Sequence, residues 1–186
     1  MTRQLIYSMF VSLDGYINDA EGRIDWHLPD EELHVFVNAR EAEADTYIYG
    51  RRLYETMTYW EDPKLLADPL LHIAEYAQIF QATPKLVVSR SLEAVVGNAR
   101  LIGDNVAEEI AKLKAGPGKT ITVGGATLAR SLVPTGLIDE YRLFVHPVML
   151  GGGTLYFPAD GRRLGLRLLD LHRFASGVTF MRYAPS

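Results

Sequence analysis

In YGRRLYE (Tyr49–Glu55), two arginines follow a glycine that ends a run of β-branched and aromatic residues. Arg51 and Arg52 then open a helix-like stretch, where positive charge opposes the helix dipole at a cost of about 0.3 kcal/mol or more each. Two readings account for the pair: solvated surface arginines, or guanidinium forks for an anion such as a phosphate monoester. A second cluster lies in TVGGATLARSL (Thr122–Leu132), where Gly124 and Gly125 separate a strand-like run from a helix-like one. It is either a plain tight turn or a seat for a diphosphate. Paired glycines let backbone N–H groups approach a ligand, a helix beginning near Ala126 would point its positive end there, and Thr127 adds a hydroxyl. A third cluster, VVSRS, places Ser89 and Arg90 at another strand end.

Proton chemistry needs carboxyls or imidazoles. LPDEEL offers Asp30, Glu31 and Glu32, read either as a proton source or as solvated acids that complement a helix start. Asp14, in SLDGYI, reads first as half of a turn-forming Asp-Gly pair. The five histidines show no H-x-x-x-H or similar spacing, so no metal site is expected, and His146 reads as a sheet-face residue. Tyr54, Tyr59 and Trp60 fall at helical spacings that suit core or pocket wall.

The elements that must position these residues alternate. QLIYSMFV, TYIY, KLVVS, ARLI and KTITV read as strands, and helical stretches follow in LPDEELHVFVNAREAEAD, RRLYETMTYW, DPLLHIAEYAQIFQA, Asp104 to Ala115 and ATLARSLV. In the Asp104–Ala115 helix, Glu108 is placed to pair with Lys112. Strand–helix alternation implies an α/β fold with a mostly parallel, twisted sheet. DEYRLFVHP then alternates, with Tyr141, Leu143 and Val145 on one side and Glu140, Arg142 and His146 on the other. Two further strands, with a turn near Ser176 and Gly177, predict a C-terminal antiparallel hairpin. The three chemical clusters each end a parallel strand, so they should share one rim, which is where doubly wound sheets bind ligands.

Bulk properties narrow the function. The chain has 186 residues, 48% of them apolar, which suits one packed domain over residues 1–186. A net charge of -4 gives no basic field for nucleic acid or an anionic membrane. The absence of cysteine removes disulfides and thiol nucleophiles. With no apolar run of about 20 residues and Asp14 arriving too early for a signal peptide, a cytoplasmic protein is expected.

Taken in order, SLDGYI, GRRLYE, VVSRS, VGGATLARSL and GLIDEYRLFVHPVMLGGGTLYF resemble the dihydrofolate reductase-like superfamily. They are most similar to the reductase domain of the bifunctional riboflavin-biosynthesis deaminase-reductases and its stand-alone relatives. The resemblance implies a three-layer fold and NADPH as hydride donor. Gly50, Arg51, Arg52, Ser89 and Arg90 would hold its 2′-phosphate end, and Gly124, Gly125, Ala126 and Thr127 its diphosphate. Ile17 and the backbone near Val11 would lie against the nicotinamide. Asp14 would orient an amino-pyrimidine or pterin ring, Glu31 stands as the helix-start acid, and the strand-rich tail implies a homodimer. LGGGTLYF would be a turn at the substrate end.

Two departures matter. Leu53 replaces the threonine of the dihydrofolate reductase motif, and Val123 replaces the glutamate that precedes Gly-Gly in the riboflavin reductases. The expectation is an NADPH-dependent reductase of a pterin-like or amino-pyrimidine substrate. The alternatives are the phosphoribosylamino-uracil reductase of riboflavin biosynthesis, which Val123 argues against, and a non-catalytic cofactor-binding dimer.

Overall fold

The computed structural model describes residues 2–103 and 105–186; the predicted helix start at Asp104 lies outside them. Its strands are β1 (Leu5–Ser12), β2 (Ala44–Gly50), β3 (Lys85–Val88), β4 (Ala99–Ile102), β5 (Thr120–Gly124), β6 (Glu140–His146), β7 (Leu166–Arg173) and β8 (Thr179–Pro185). The helices are α1 (Glu31–Glu41), α2 (Arg51–Met57), α3 (Leu71–Ala82), α4 (Val106–Ala115) and α5 (Ala126–Leu132). All strands join one sheet of order β4-β3-β2-β5-β1-β6-β8-β7. The sheet is parallel from β4 to β6, and β8 enters antiparallel between β6 and β7. The α/β class and the closing antiparallel hairpin are as the sequence predicts.

Helices cover both faces of the sheet, giving three layers. Leu5, Tyr7 and Val11 alternate onto the face packed by Ile110 of α4 and by Leu128, Ala129 and Leu132 of α5. The opposite face takes Tyr47 and Tyr49 against Tyr76 and Phe80 of α3, and Phe144 and Phe180 against Leu33 of α1. Both faces of the central strands are therefore apolar, as parallel strands between helix layers require.

Local differences have local causes. Helix α1 starts at Glu31 because Asp30 caps it, its Oδ1 accepting from the Leu33 N–H at 2.9 Å. Helix α2 stops at Met57 and continues as a 3-10 turn, where the Thr58 hydroxyl donates to the Glu55 carbonyl at 2.7 Å. Lys112 pairs with Glu109 at 3.4 Å instead of with Glu108, since Arg100 on β4 also holds the Glu109 carboxylate. No helix among the described residues is long and apolar enough to cross a membrane.

Strand β6 is interior, so the charged side of its alternation is buried as well. Glu140, 2% exposed, accepts from Arg142 Nε at 2.6 Å and from Arg182 Nε and Nη2 at 2.8 and 2.9 Å. Arg142 also reaches Glu43 at 3.0 Å. Burial alone would raise the Glu140 pKa, but the hydrogen bonds from Arg182 and Arg142 outweigh it and hold the carboxyl below its ordinary value. A depressed carboxyl stabilises the fold above its unfolded pKa, and that contribution disappears as pH falls through the folded value. Glu140→Gln should therefore lower unfolding free energy by about 3 kcal/mol at pH 7, because it leaves two guanidinium groups poorly compensated. In urea titrations, the gap from wild type should shrink as pH falls below the ordinary glutamate range and through the depressed native value.

Candidate functional site

At the carboxyl rim, Gly50 lies in register with Val88 and Tyr49 with Gly124, so the ends of β3, β2 and β5 are neighbours. The three clusters meet there. Arg51 donates from Nη1 to Ser91 Oγ at 2.9 Å and from Nε to Glu55 Oε1 at 2.8 Å, tying the turn after β2 to the turn after β3. Ser89 Oγ accepts from the Ser91 and Leu92 N–H groups. A cleft of about 2240 Å³ runs across this rim. Gly50, Arg51, Arg52, Ser89, Arg90, Gly124, Gly125, Ala126 and Thr127 all line it, and Ile17 lines it from the far wall.

The glycines are needed where they stand. Gly125 has φ +94°, a conformation that side chains other than glycine rarely adopt. A Cβ on Gly124 would run into Leu53 Cδ2 and come within 3.2 Å of the Tyr49 ring. Leu53 lies against Gly124 there and lines the cleft beside it.

Three predicted residues are not among those lining this cleft. Val11 is 1% exposed and belongs to the core on the α4–α5 face, not to the cleft lining. Glu31 is the exposed first residue of α1 and stands off the cleft. Asp14 is also outside the lining and works as a clasp. Its carboxylate accepts from Ser12 Oγ at 2.7 Å, from the Gly151 N–H at 2.8 Å and from the Leu150 N–H at 3.1 Å. Those bonds, the Ser12 hydroxyl first, hold its pKa below the ordinary aspartate value. The LGGG turn is thus fastened to the start of the chain.

The lining continues along α1, α3 and the sheet with residues that motif reading missed. Along α1, His34, Val37 and Glu41 line the space at helical spacings of three and four. Ser8, Phe10, Thr122 and Phe144 line it from the sheet, and Tyr49, Trp60 and Tyr76 close one side. Burial lowers the His34 pKa, with His72 adding to the effect. Burial pushes the Glu41 carboxyl up to about 7. Nearby, burial and then His27 bring His146 down to about 4, so at neutral pH it is an uncharged sheet-face imidazole.

Comparison with known proteins is consistent with this geometry. Residues 3–180 match the family described as the RibD C-terminal domain. This chain is a member of that family. The same RibD C-terminal domain is 34% identical over 188 residues to the uncharacterized Bacillus subtilis (strain 168) protein YyaP, covering 97% of this chain and 94% of YyaP. Its fold matches a Shewanella sp. PV-4 protein described as a candidate riboflavin biosynthesis protein, with TM-score 0.77, 22% identity and coverage of 100% and 99%. It also matches Enterococcus faecalis dihydrofolate reductase, solved in complex with NADP(H) and RAB-propyl, with TM-score 0.65, 16% identity and coverage of 100% and 99%.

Within this RibD C-terminal domain both motif departures have structural roles. Leu53 fills the space that a Cβ on Gly124 would need. Val123 is fully buried in the α4–α5 core, facing away from the cleft. Asp14→Asn should loosen the clasp, and hydrogen exchange should then accelerate at the Leu150 and Gly151 amides while the Gly125 amide, outside the clasp, keeps its rate.

Proposed function

We propose that this RibD C-terminal domain is an NADPH-dependent reductase that transfers hydride to a pterin-like or amino-pyrimidine ring. Family membership and the fold it shares with dihydrofolate reductase support a reductase of this kind with a nicotinamide cofactor. One observation carries the finer reading: the guanidinium groups after β2 and β3 and the glycine turn after β5 line the same cleft. Arg51, Arg52, Ser89 and Arg90 would grip the 2′-phosphate, and the main chain from Gly124 to Thr127 the diphosphate. The bound cofactor would supply hydride; the chain's contribution is to seat it, exclude water and position the acceptor beside it.

In the same proposal the domain works as a homodimer through its tail. Strand β7 is the outermost strand of the sheet and exposes Leu168, Leu169 and Leu171 at 49%, 39% and 55%. Such an edge is normally protected or paired.

Two measurements test these points. Replacing both Arg51 and Arg52 with alanine should weaken NADPH binding roughly tenfold to hundredfold, as loss of charge-assisted hydrogen bonds worth about 1.5–3 kcal/mol implies. NADH binding should change little; equal weakening of both would remove the 2′-phosphate assignment. Leu168→Asp with Leu171→Asp should convert a dimer into monomer in sedimentation velocity, and unchanged sedimentation would place the contact elsewhere.

A further inference from the structure

The paired register of β1 and β5 runs as far as Tyr7 and Val123. Two residues further on, level with Met9, the chain leaves the sheet through Gly125, whose positive φ sends it into α5. The Gly125 amide there donates to a sulfur, with 3.4 Å between its nitrogen and Met9 Sδ. A thioether is a weak acceptor, so this main-chain donor is held loosely. Met9 is half-buried; it packs against the α4–α5 core and also lines the cleft. Met57 lines the cleft as well, Met149 is 72% exposed outside that lining, and Met181 takes the Tyr183 hydroxyl on the terminal hairpin. Among the described residues, only Met9 sets its sulfur on a main-chain amide.

We propose that Met9 is a redox modification site: a hydroperoxide converts its thioether to the sulfoxide, whose oxygen takes the Gly125 amide and closes that part of the cleft to a dinucleotide. The proposal rests on the cofactor reading above, because it takes the turn after β5 to be where the diphosphate lies.

The step is a two-electron oxygen transfer. A sulfur lone pair attacks the terminal oxygen of the hydroperoxide, and an S–O bond forms as the O–O bond breaks. The proton of that oxygen passes to the departing alkoxide, or to hydroxide when the oxidant is hydrogen peroxide. The products are the sulfoxide and an alcohol or water; sulfur loses two electrons and the peroxide gains them. Sulfoxide reductases return the thioether, so the change is reversible.

The surroundings decide where the new oxygen goes. On its core side Met9 meets apolar groups, where an unpaired polar oxygen is costly to bury. On the cleft side the Gly125 N–H is already directed at the sulfur. An oxygen carried by that sulfur is a much better acceptor than the thioether, so the amide gains a firm partner. In the reduced protein an incoming phosphate oxygen displaces only the weak N–H···S contact, and its charge makes its own hydrogen bonds roughly twice as strong as neutral ones. In the oxidised protein it must displace an N–H···O bond and compete with an added atom for the same space.

The test oxidises the full-length, cofactor-free protein with hydrogen peroxide, follows each methionine by peptide mass spectrometry and measures NADPH binding by fluorescence titration. In wild type, the loss of affinity should grow in step with the fraction of Met9 sulfoxide and reach about tenfold or more at complete conversion. Treatment with methionine sulfoxide reductases should restore binding. Met9→Leu keeps an apolar side chain of similar volume and has no sulfur, so peroxide should not alter its NADPH affinity. Met57→Leu and Met149→Leu should lose affinity on oxidation as wild type does. NADPH present during the treatment should slow conversion of Met9 and leave that of Met149 as it was. In amide NMR spectra without cofactor, the Gly125 proton should move downfield as Met9 is oxidised and stay in place in peroxide-treated Met9→Leu.

NADPH affinity preserved at complete Met9 conversion, a loss that persists in Met9→Leu, or a Gly125 resonance indifferent to oxidation would overturn the proposal. The wild-type series decides this even where a variant fails to fold. If the Gly125 resonance moves but the reduced protein binds no NADPH, the cofactor reading fails and takes the closure with it.

Discussion

The turns after β2 and β5 pack against each other at the rim of the sheet, and at Gly124 the contact leaves no room for a side chain. A Cβ on Gly125 would lie 3.9 Å from the Gly50 nitrogen, one on Gly50 would lie 3.6 Å from Leu128 Cβ, and one on Gly124 would overlap Leu53. This crowding draws α2 and α5 together and brings the arginines that follow Gly50 onto the same cleft as the amides that follow Gly124. Leucine at position 53 and glycine at position 124 are two halves of one packing solution, so neither can be understood alone.

A second constraint acts across the sheet. Burying charge is tolerable only when it is paired, and this chain does so repeatedly. Glu140 is clamped by two arginines, and Arg142 is shared between two glutamates. Lys85, fully buried, donates to the Phe80 and Thr83 carbonyls, lies 3.1 Å from Glu61 and sits over the Phe80 ring. At Glu41 burial is the largest influence, offset by the Tyr47 hydroxyl and by Arg142.

Local signals made the rim legible from sequence. A glycine, serine or arginine at the end of a β-rich run carries its meaning within a few residues, and strand–helix alternation fixes which end of the sheet it occupies. The clasp of Asp14 on Gly151 spans 137 positions, so no local pattern announces it. The stripe on α1 was present in the sequence too, but its spacing alone does not tell a polar face turned inward from one turned to water. That distinction needs α3 packed over the helix, which Asn38 secures. Lys85 hides for the same reason: at the start of a strand it reads as a solvated end until α3 covers it.

The segment after β1 is stitched to the segment after β6 along its length. Leu13 donates to Val148, Ile17 to Thr154, and Tyr156 back to Gly15, while Asn18 takes the Thr154 amide and the Asp14 carboxylate fixes the turn between. That side of the cleft is therefore held by hydrogen bonds along its length. The opposite side of the cleft has no such stitching to the segment after β6; there α1 is held to α3 through the Asn38 side chain.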